Sequence, residues 1–134
     1  MARGYDEHAE RVAAVNALGR PLARRARSAC ELCGAKGDEA GRLEPYEVPP
    51  APPDPDAERA LLSCERCAAA MDGGRLAERE LRFLEGAAWS EVPAVQVSAV
   101  RLLRRLAGER VDWAREALEN LYLSPEIEEW AGKG

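Results

Sequence analysis

The only cysteines in this sequence form two Cys-x-x-Cys pairs, Cys30-Glu31-Leu32-Cys33 and Cys64-Glu65-Arg66-Cys67. A two-residue spacer lets both sulfurs of a pair turn toward one point. Four thiolates meeting there make the closed tetrahedral cage that Zn²⁺ prefers. Two other uses of the cysteines compete with this one. A disulfide framework belongs to an oxidising compartment, and the N-terminal Met1-Ala2-Arg3-Gly4-Tyr5-Asp6-Glu7 is no apolar signal segment. A thioredoxin-like dithiol uses one pair at a helix start and leaves a second pair of equal spacing unexplained. The expectation is one structural Zn²⁺ held by Cys30, Cys33, Cys64 and Cys67, with iron the other metal that four thiolates accept.

A site closed by four thiolates has no open position at which to activate water. The remaining residues offer little else for chemistry. His8 is the single histidine and lies far from the cysteines in sequence, Ser63 and Ser90 have no evident base, and no fifth cysteine is left as a nucleophile. No catalytic residue is assigned, and the chain reads as a non-enzyme.

The elements that must bring the cysteines together are legible around each pair. Gly34 follows the first pair, where a knuckle needs a residue that tolerates positive φ. The second pair is preceded by Leu61-Leu62 and followed by Ala68-Ala69-Ala70-Met71, with Gly73-Gly74 as a stop. That pattern is a short strand running into a short helix that starts at Cys64 and Cys67, so the positive end of the helix dipole faces the thiolates. Residues 42–48 supply the other strand, with Pro45 at its edge, and residues 49–56 form an exposed, stiff Pro-rich connector. A knuckle, a hairpin and a ligand-bearing helix describe a treble-clef arrangement; a zinc ribbon, with both pairs on knuckles, is the alternative.

Helical patterns flank this module. Asp6 caps a helix with Ala9, Val12, Val15 and Leu18 on one side, and a second helix runs from about Pro21 to Arg27. Downstream, Leu76 to Leu84 reads as a helix. Ser90 and Pro93 then open one that buries Val95, Ala99, Leu102, Leu103 and Leu106, with Ser98, Arg101 and Arg105 on the opposite face. Asp112 caps a helix with the stripe Trp113, Ala117, Leu118, Leu121 and Tyr122, and Ser124-Pro125-Glu126 starts a last one ending at Trp130. Trp89, Trp113 and Trp130 are expected as core anchors, with Trp89 and the face around Leu102 packing on the zinc module.

The full chain has 134 residues, 19 Lys and Arg against 24 Asp and Glu, and 5% aromatic residues. An alanine-rich, aromatic-poor chain has a thin core, which metal binding would offset because its free energy is folding free energy. The net charge of −5 demands no nucleic-acid partner. Two arginine groups nonetheless mark a candidate phosphate-contacting surface: Arg20, Arg24, Arg25 and Arg27, and Arg101, Arg104 and Arg105. No apolar run approaches the roughly 20 residues of a membrane span. A cytoplasmic protein is expected, and the richness in Ala, Arg, Glu and Gly hints at a GC-rich bacterial genome.

Cys30-Glu31-Leu32-Cys33-Gly34 followed by Tyr46-Glu47-Val48-Pro49-Pro50, and the string Trp89-Ser90-Glu91-Val92-Pro93-Ala94-Val95-Gln96-Val97, resemble the N-terminal region of the longer PhnA-type proteins. Leu121-Tyr122-Leu123 and Glu129-Trp130-Ala131 are similar to the end of that region, so the likeness covers about residues 22–131. The resemblance implies a zinc-binding segment and no assigned activity. Long PhnA-type proteins continue into a small β domain, which this sequence does not contain. The cysteine scaffold also resembles that of HNH-type nucleases, which carry histidines on the strand after the knuckle. Here that strand reads Tyr46-Glu47-Val48.

The sequence thus predicts an α+β, mostly helical chain: N-terminal helices over 1–28, a four-cysteine zinc module over 29–73, and a helical region over 74–134 packed on it. The expected function is a non-catalytic interaction module for a protein partner, with nucleic-acid binding without cleavage as the alternative.

Overall fold

The computed structural model describes residues 2–133, with side chains from Asp6 onward; Met1 and Gly134, at the ends of the expected regions, lie outside the described residues. Among these residues are seven α-helices, three single 3₁₀ turns and one two-stranded sheet. Helices α1 (Ala2–Asn16) and α2 (Gly19–Ala26) lead to the first cysteine pair. Strands β1 (Glu44–Glu47) and β2 (Ala60–Ser63) form an antiparallel hairpin, and β2 runs straight into α3 (Glu65–Met71). Beyond it lie α4 (Leu84–Ala87), α5 (Pro93–Gly108), α6 (Asp112–Glu119) and α7 (Pro125–Lys133).

Strand β2 is the centre of the four-cysteine module because both its faces and both its edges are occupied. All four of its residues are buried. Leu61 faces the main core with Cys64, Cys67 and the α5 residues, whereas Ala60 and Leu62 pack with Leu22 of α2 on the other face. One edge pairs with β1 in the register Glu44 to Ser63, Pro45 to Leu62, Tyr46 to Leu61 and Glu47 to Ala60. The other edge is covered by Glu31: its backbone N–H donates to the Leu62 carbonyl at 2.8 Å, and its carboxylate accepts from the Leu62 N–H at 2.9 Å. The polar groups of Leu62 are therefore used away from β1, which is why Pro45, lacking an N–H, is tolerated opposite it.

Helix α5 organises the C-terminal half. Pro93 occupies its first turn, where a missing N–H costs nothing. Val95, Val97, Ala99, Val100, Leu102, Leu103 and Leu106 are at most 2% exposed. The helix packs on α4, α6 and α7 and also on β2 and α3, so one apolar cluster runs from Cys30 and Leu32 through Leu61 to Leu103 and Trp130. The helical region and the cysteine module share a core.

Several local expectations are corrected. Helix α1 is already formed at Ala2, so Asp6 lies within it rather than capping it, and Val12 of the expected apolar side is 44% exposed. Arg11 holds the helix instead, with two hydrogen bonds to Glu47 (3.2 and 2.7 Å) and one each to the carbonyls of Pro52 and Pro53 (both 2.9 Å). Residues 76–84 do not make one helix: a single 3₁₀ turn, Glu78–Glu80, precedes α4. Here tertiary anchors override helix propensity, since Glu78 accepts from Trp113 Nε1 at 3.0 Å and the Arg82 guanidinium stacks over the Trp113 ring at 4.9 Å. Ser90 lies two residues ahead of Val92, the residue that caps α5, and its hydroxyl accepts from the Val92 N–H; Asp112 is the first residue of α6 rather than its cap.

Trp89 is 55% exposed and is not a core anchor. Leu84 and Ala88, four residues apart, point into the core, and their neighbour Trp89 is rotated outward. The tail supplies the anchor in its place. Trp130 is 7% exposed, donates its indole N–H to the Pro49 carbonyl at 3.0 Å and lies under the Arg59 guanidinium at 4.3 Å, tying α7 to the Pro-rich connector. Tyr122, expected on the α6 stripe, is 85% exposed because α6 ends at Glu119.

Candidate metal centre

The first cysteine pair sits on a turn closed by two hydrogen bonds, from the Gly34 N–H to the Cys30 carbonyl and from the Cys30 N–H to the Ala35 carbonyl, both 2.8 Å. Gly34 has φ of +82°, a conformation that a side chain would strain. The second pair arrives from β2. Cys64 is the N-cap of α3, and its Sγ accepts from the Cys67 N–H at 3.4 Å. Both expectations about local backbone hold: a knuckle for the first pair and a strand-to-helix junction for the second.

The four Sγ atoms lie within 4.8 Å of one another, and Cys33 Sγ to Cys64 Sγ is 3.8 Å. A tetrahedron with metal–sulfur bonds of about 2.3 Å has edges of about 3.8 Å. Cys30, Cys64 and Cys67 are buried and Cys33 is half-buried. The donor set, its spacing and its burial fit a four-coordinate metal ion. A hydrogen bond from the Cys67 thiol lowers the pKa of Cys30, while burial raises that of Cys33, and Cys67 is raised by holding its proton toward Cys30. Four thiols alone cannot all ionise in so small a volume; a divalent cation removes that conflict and would bind all four as thiolates.

Glu31, a spacer residue between two ligands, is the structural residue that sequence reasoning missed. Besides covering β2, its carboxylate accepts two bonds of 2.8 Å from Arg25, which also donates to the Ala57 and Ala60 carbonyls at 3.0 and 2.8 Å. This pairing raises the Arg25 pKa above its ordinary value. The available signal was an acid inside the knuckle directly after an arginine-rich helix.

The other arginines singled out in the sequence separate into two kinds. Arg101 donates to the Trp130 and Ala131 carbonyls, Arg105 to those of Ala70 and Gly74, and Arg104 pairs with Glu128 at 2.6 Å. Arg20, Arg24 and Arg27 are exposed, with no ion pair among the described residues.

On β1, where HNH-type enzymes carry histidines, Glu47 is taken up by Arg11, and the Tyr46 hydroxyl donates to Asp72 Oδ1 at 2.7 Å. Burial, with the Asp72 carboxylate adding to it, raises the Tyr46 pKa well above its ordinary value. Because the fold favours the protonated phenol, its contribution to stability is complete below the unfolded value near 10 and is lost as pH rises toward the folded value. The urea midpoint should therefore fall more steeply above about pH 10 in the parent protein than in Tyr46→Phe.

Compared with family models, with curated proteins and with solved structures, the chain shows no match.

Proposed function

We propose that this chain is a small PhnA-like interaction module, a treble-clef arrangement built on one structural Zn²⁺ and without catalytic activity. The observation that carries the reading is the four-sulfur cluster, whose members would fill the coordination of a tetrahedral ion and leave it no position for water. The knuckle at Cys30–Gly34, the β1–β2 hairpin and the second pair on the first turn of α3 follow the order of a treble clef. The PhnA likeness rests on the residues quoted above, now found in the knuckle, at the end of β1 and on α5. Zinc is favoured over iron by its preference for closed tetrahedral sulfur sites in structural roles. Exposed Trp89 and Tyr122 give the surface the aromatic contact area that protein interfaces favour.

The absence of nuclease chemistry is part of the proposal. Glu47 is engaged by Arg11, and Tyr46, held protonated against Asp72, is a poor general base at neutral pH. Incubating the zinc-loaded protein with plasmid and single-stranded DNA in Mg²⁺ and in Mn²⁺ should leave both intact. Cleavage that survives purification and disappears in Glu47→Gln would overturn the reading.

The second reading, nucleic-acid binding, rests on the exposed Arg20, Arg24 and Arg27 of α2 and the turn after it. Fluorescence anisotropy with a labelled oligonucleotide separates the two. The interaction module predicts no binding at about 150 mM salt, whereas affinity that falls steeply between about 50 and 200 mM and is lost on changing the three arginines to glutamine would favour the second.

A further inference from the structure

Part-buried arginines in this protein ordinarily meet carboxylates, as Arg11 meets Glu47 and Arg25 meets Glu31. Arg101 and Arg105 do not. One turn apart on α5, they have no ion pair among the described residues, and both line a cleft of about 110 Å³ between β1, α3 and α5. Its other walls are Tyr46, Val48, Pro49, Met71, Ser98 and Leu102, with no acidic side chain among them. Each guanidinium donates to two carbonyls: Arg101 to those of Trp130 (2.6 Å) and Ala131 (3.2 Å), Arg105 to those of Ala70 (2.6 Å) and Gly74 (2.9 Å).

Those carbonyls fix the two guanidiniums in place and use two of the five N–H donors on each, leaving donors on both for a ligand. The carbonyls are dipoles, not full charges, so the cationic pair is only partly balanced. Burial lowers the Arg101 pKa, an effect that Tyr46 opposes and the nearby Arg104 reinforces, and the net direction is the reverse of that on carboxylate-paired Arg25. Two immobilised cations against Val48, Met71 and Leu102 combine a recognition element for an oxyanion with an apolar wall for a short alkyl group.

We propose that this cleft binds a small organic oxyanion, a carboxylate or phosphate group carrying a short branched alkyl chain, with Arg101 and Arg105 on the oxyanion and Val48, Met71 and Leu102 on the alkyl part. The site is separate from the cysteine cluster and from the α2 arginines, so it stands or falls independently of the interaction-module reading.

The test is NMR titration of the zinc-loaded full chain with isovalerate, isobutyl phosphate and, as the neutral isostere, isovaleramide. At least one anion should give saturable shifts centred on Tyr46, Met71, Ser98 and Leu102, with isovaleramide giving none; the tighter of the two anions identifies the ligand class. Arg105→Gln should weaken binding about tenfold or more, the loss of a charge-assisted hydrogen bond. Should that variant fail to fold, Met71→Phe, which narrows the cleft and leaves both arginines in place, should abolish the shifts. Equal binding of isovaleramide, shifts centred instead on Arg20, Arg24 and Arg27, undiminished binding in a folded variant, or no saturable binding by either anion would each overturn the proposal.

Discussion

Changing Cys64 to serine should leave a chain without a cooperative fold. Cys64 supplies one of the four clustered sulfurs and also caps α3, whose first turn carries Cys67. Serine keeps an oxygen that can cap α3, so what the substitution removes is the fourth sulfur of the cluster. Structural zinc sites in small peptides bind with about 10–16 kcal/mol, as much as or more than the whole stability of a typical domain, at about 5–15 kcal/mol. The collapse should not stop at the cysteine module, because Cys30, Leu32, Leu61 and Cys67 share one core with Val95, Leu102, Leu103 and Trp130. The expected readout is loss of amide chemical-shift dispersion throughout, including α5, in Cys64→Ser and equally in parent protein stripped of metal by a strong chelator. If dispersion survived on residues 93–133 alone, the helices would fold independently of the metal.

The second large effect is expected at a residue that binds no metal. Glu31→Ala removes the partner of Arg25, leaves the Leu62 N–H without its acceptor, and uncovers the edge of β2. The Glu31 side chain is 5% exposed and that of Arg25 25%. Breaking such a pair from one side strands a desolvated charge, so the cost should be about 3 kcal/mol or more, near 10 °C in melting temperature for a chain of this size. Zinc content should be unchanged in the folded protein, which distinguishes this loss from that of a ligand. The exposed pair Arg104 and Glu128 is the contrast, and Glu128→Ala should cost at most about 1 kcal/mol. A loss at Glu31 no larger than that at Glu128 would show that the knuckle does not depend on its acidic spacer.

The clustering of the four cysteines was legible in the sequence because a Cys-x-x-Cys pair encodes its own geometry: two residues of spacing, a glycine at positive φ, or a helix start. The junction from Leu61-Leu62 into Cys64 was readable for the same reason, since alternation, cap and alanine run agree. The failures are places where long-range contacts decide. Residues 76–84 have helical composition, yet the Trp113 contacts of Glu78 and Arg82 hold them in a looser path. Trp89 and Trp130 look equally suited to a core, and only the turn at Ala88 and the approach of α7 to Pro49 turn one outward and the other in. Arg101 and Arg105 read as a solvent face because spacing on a helix reports a direction without saying what lies there. In the fold they bind carbonyls of α7, of α3 and of Gly74 beyond it, and line a cleft.

The central claim is most directly tested by metal analysis of the purified chain together with X-ray absorption at the zinc edge. One zinc per chain, with four sulfur neighbours at about 2.3 Å and no nitrogen or oxygen, is the predicted result. Substoichiometric metal accompanied by two disulfides, or a coordination shell containing water or nitrogen, would contradict it.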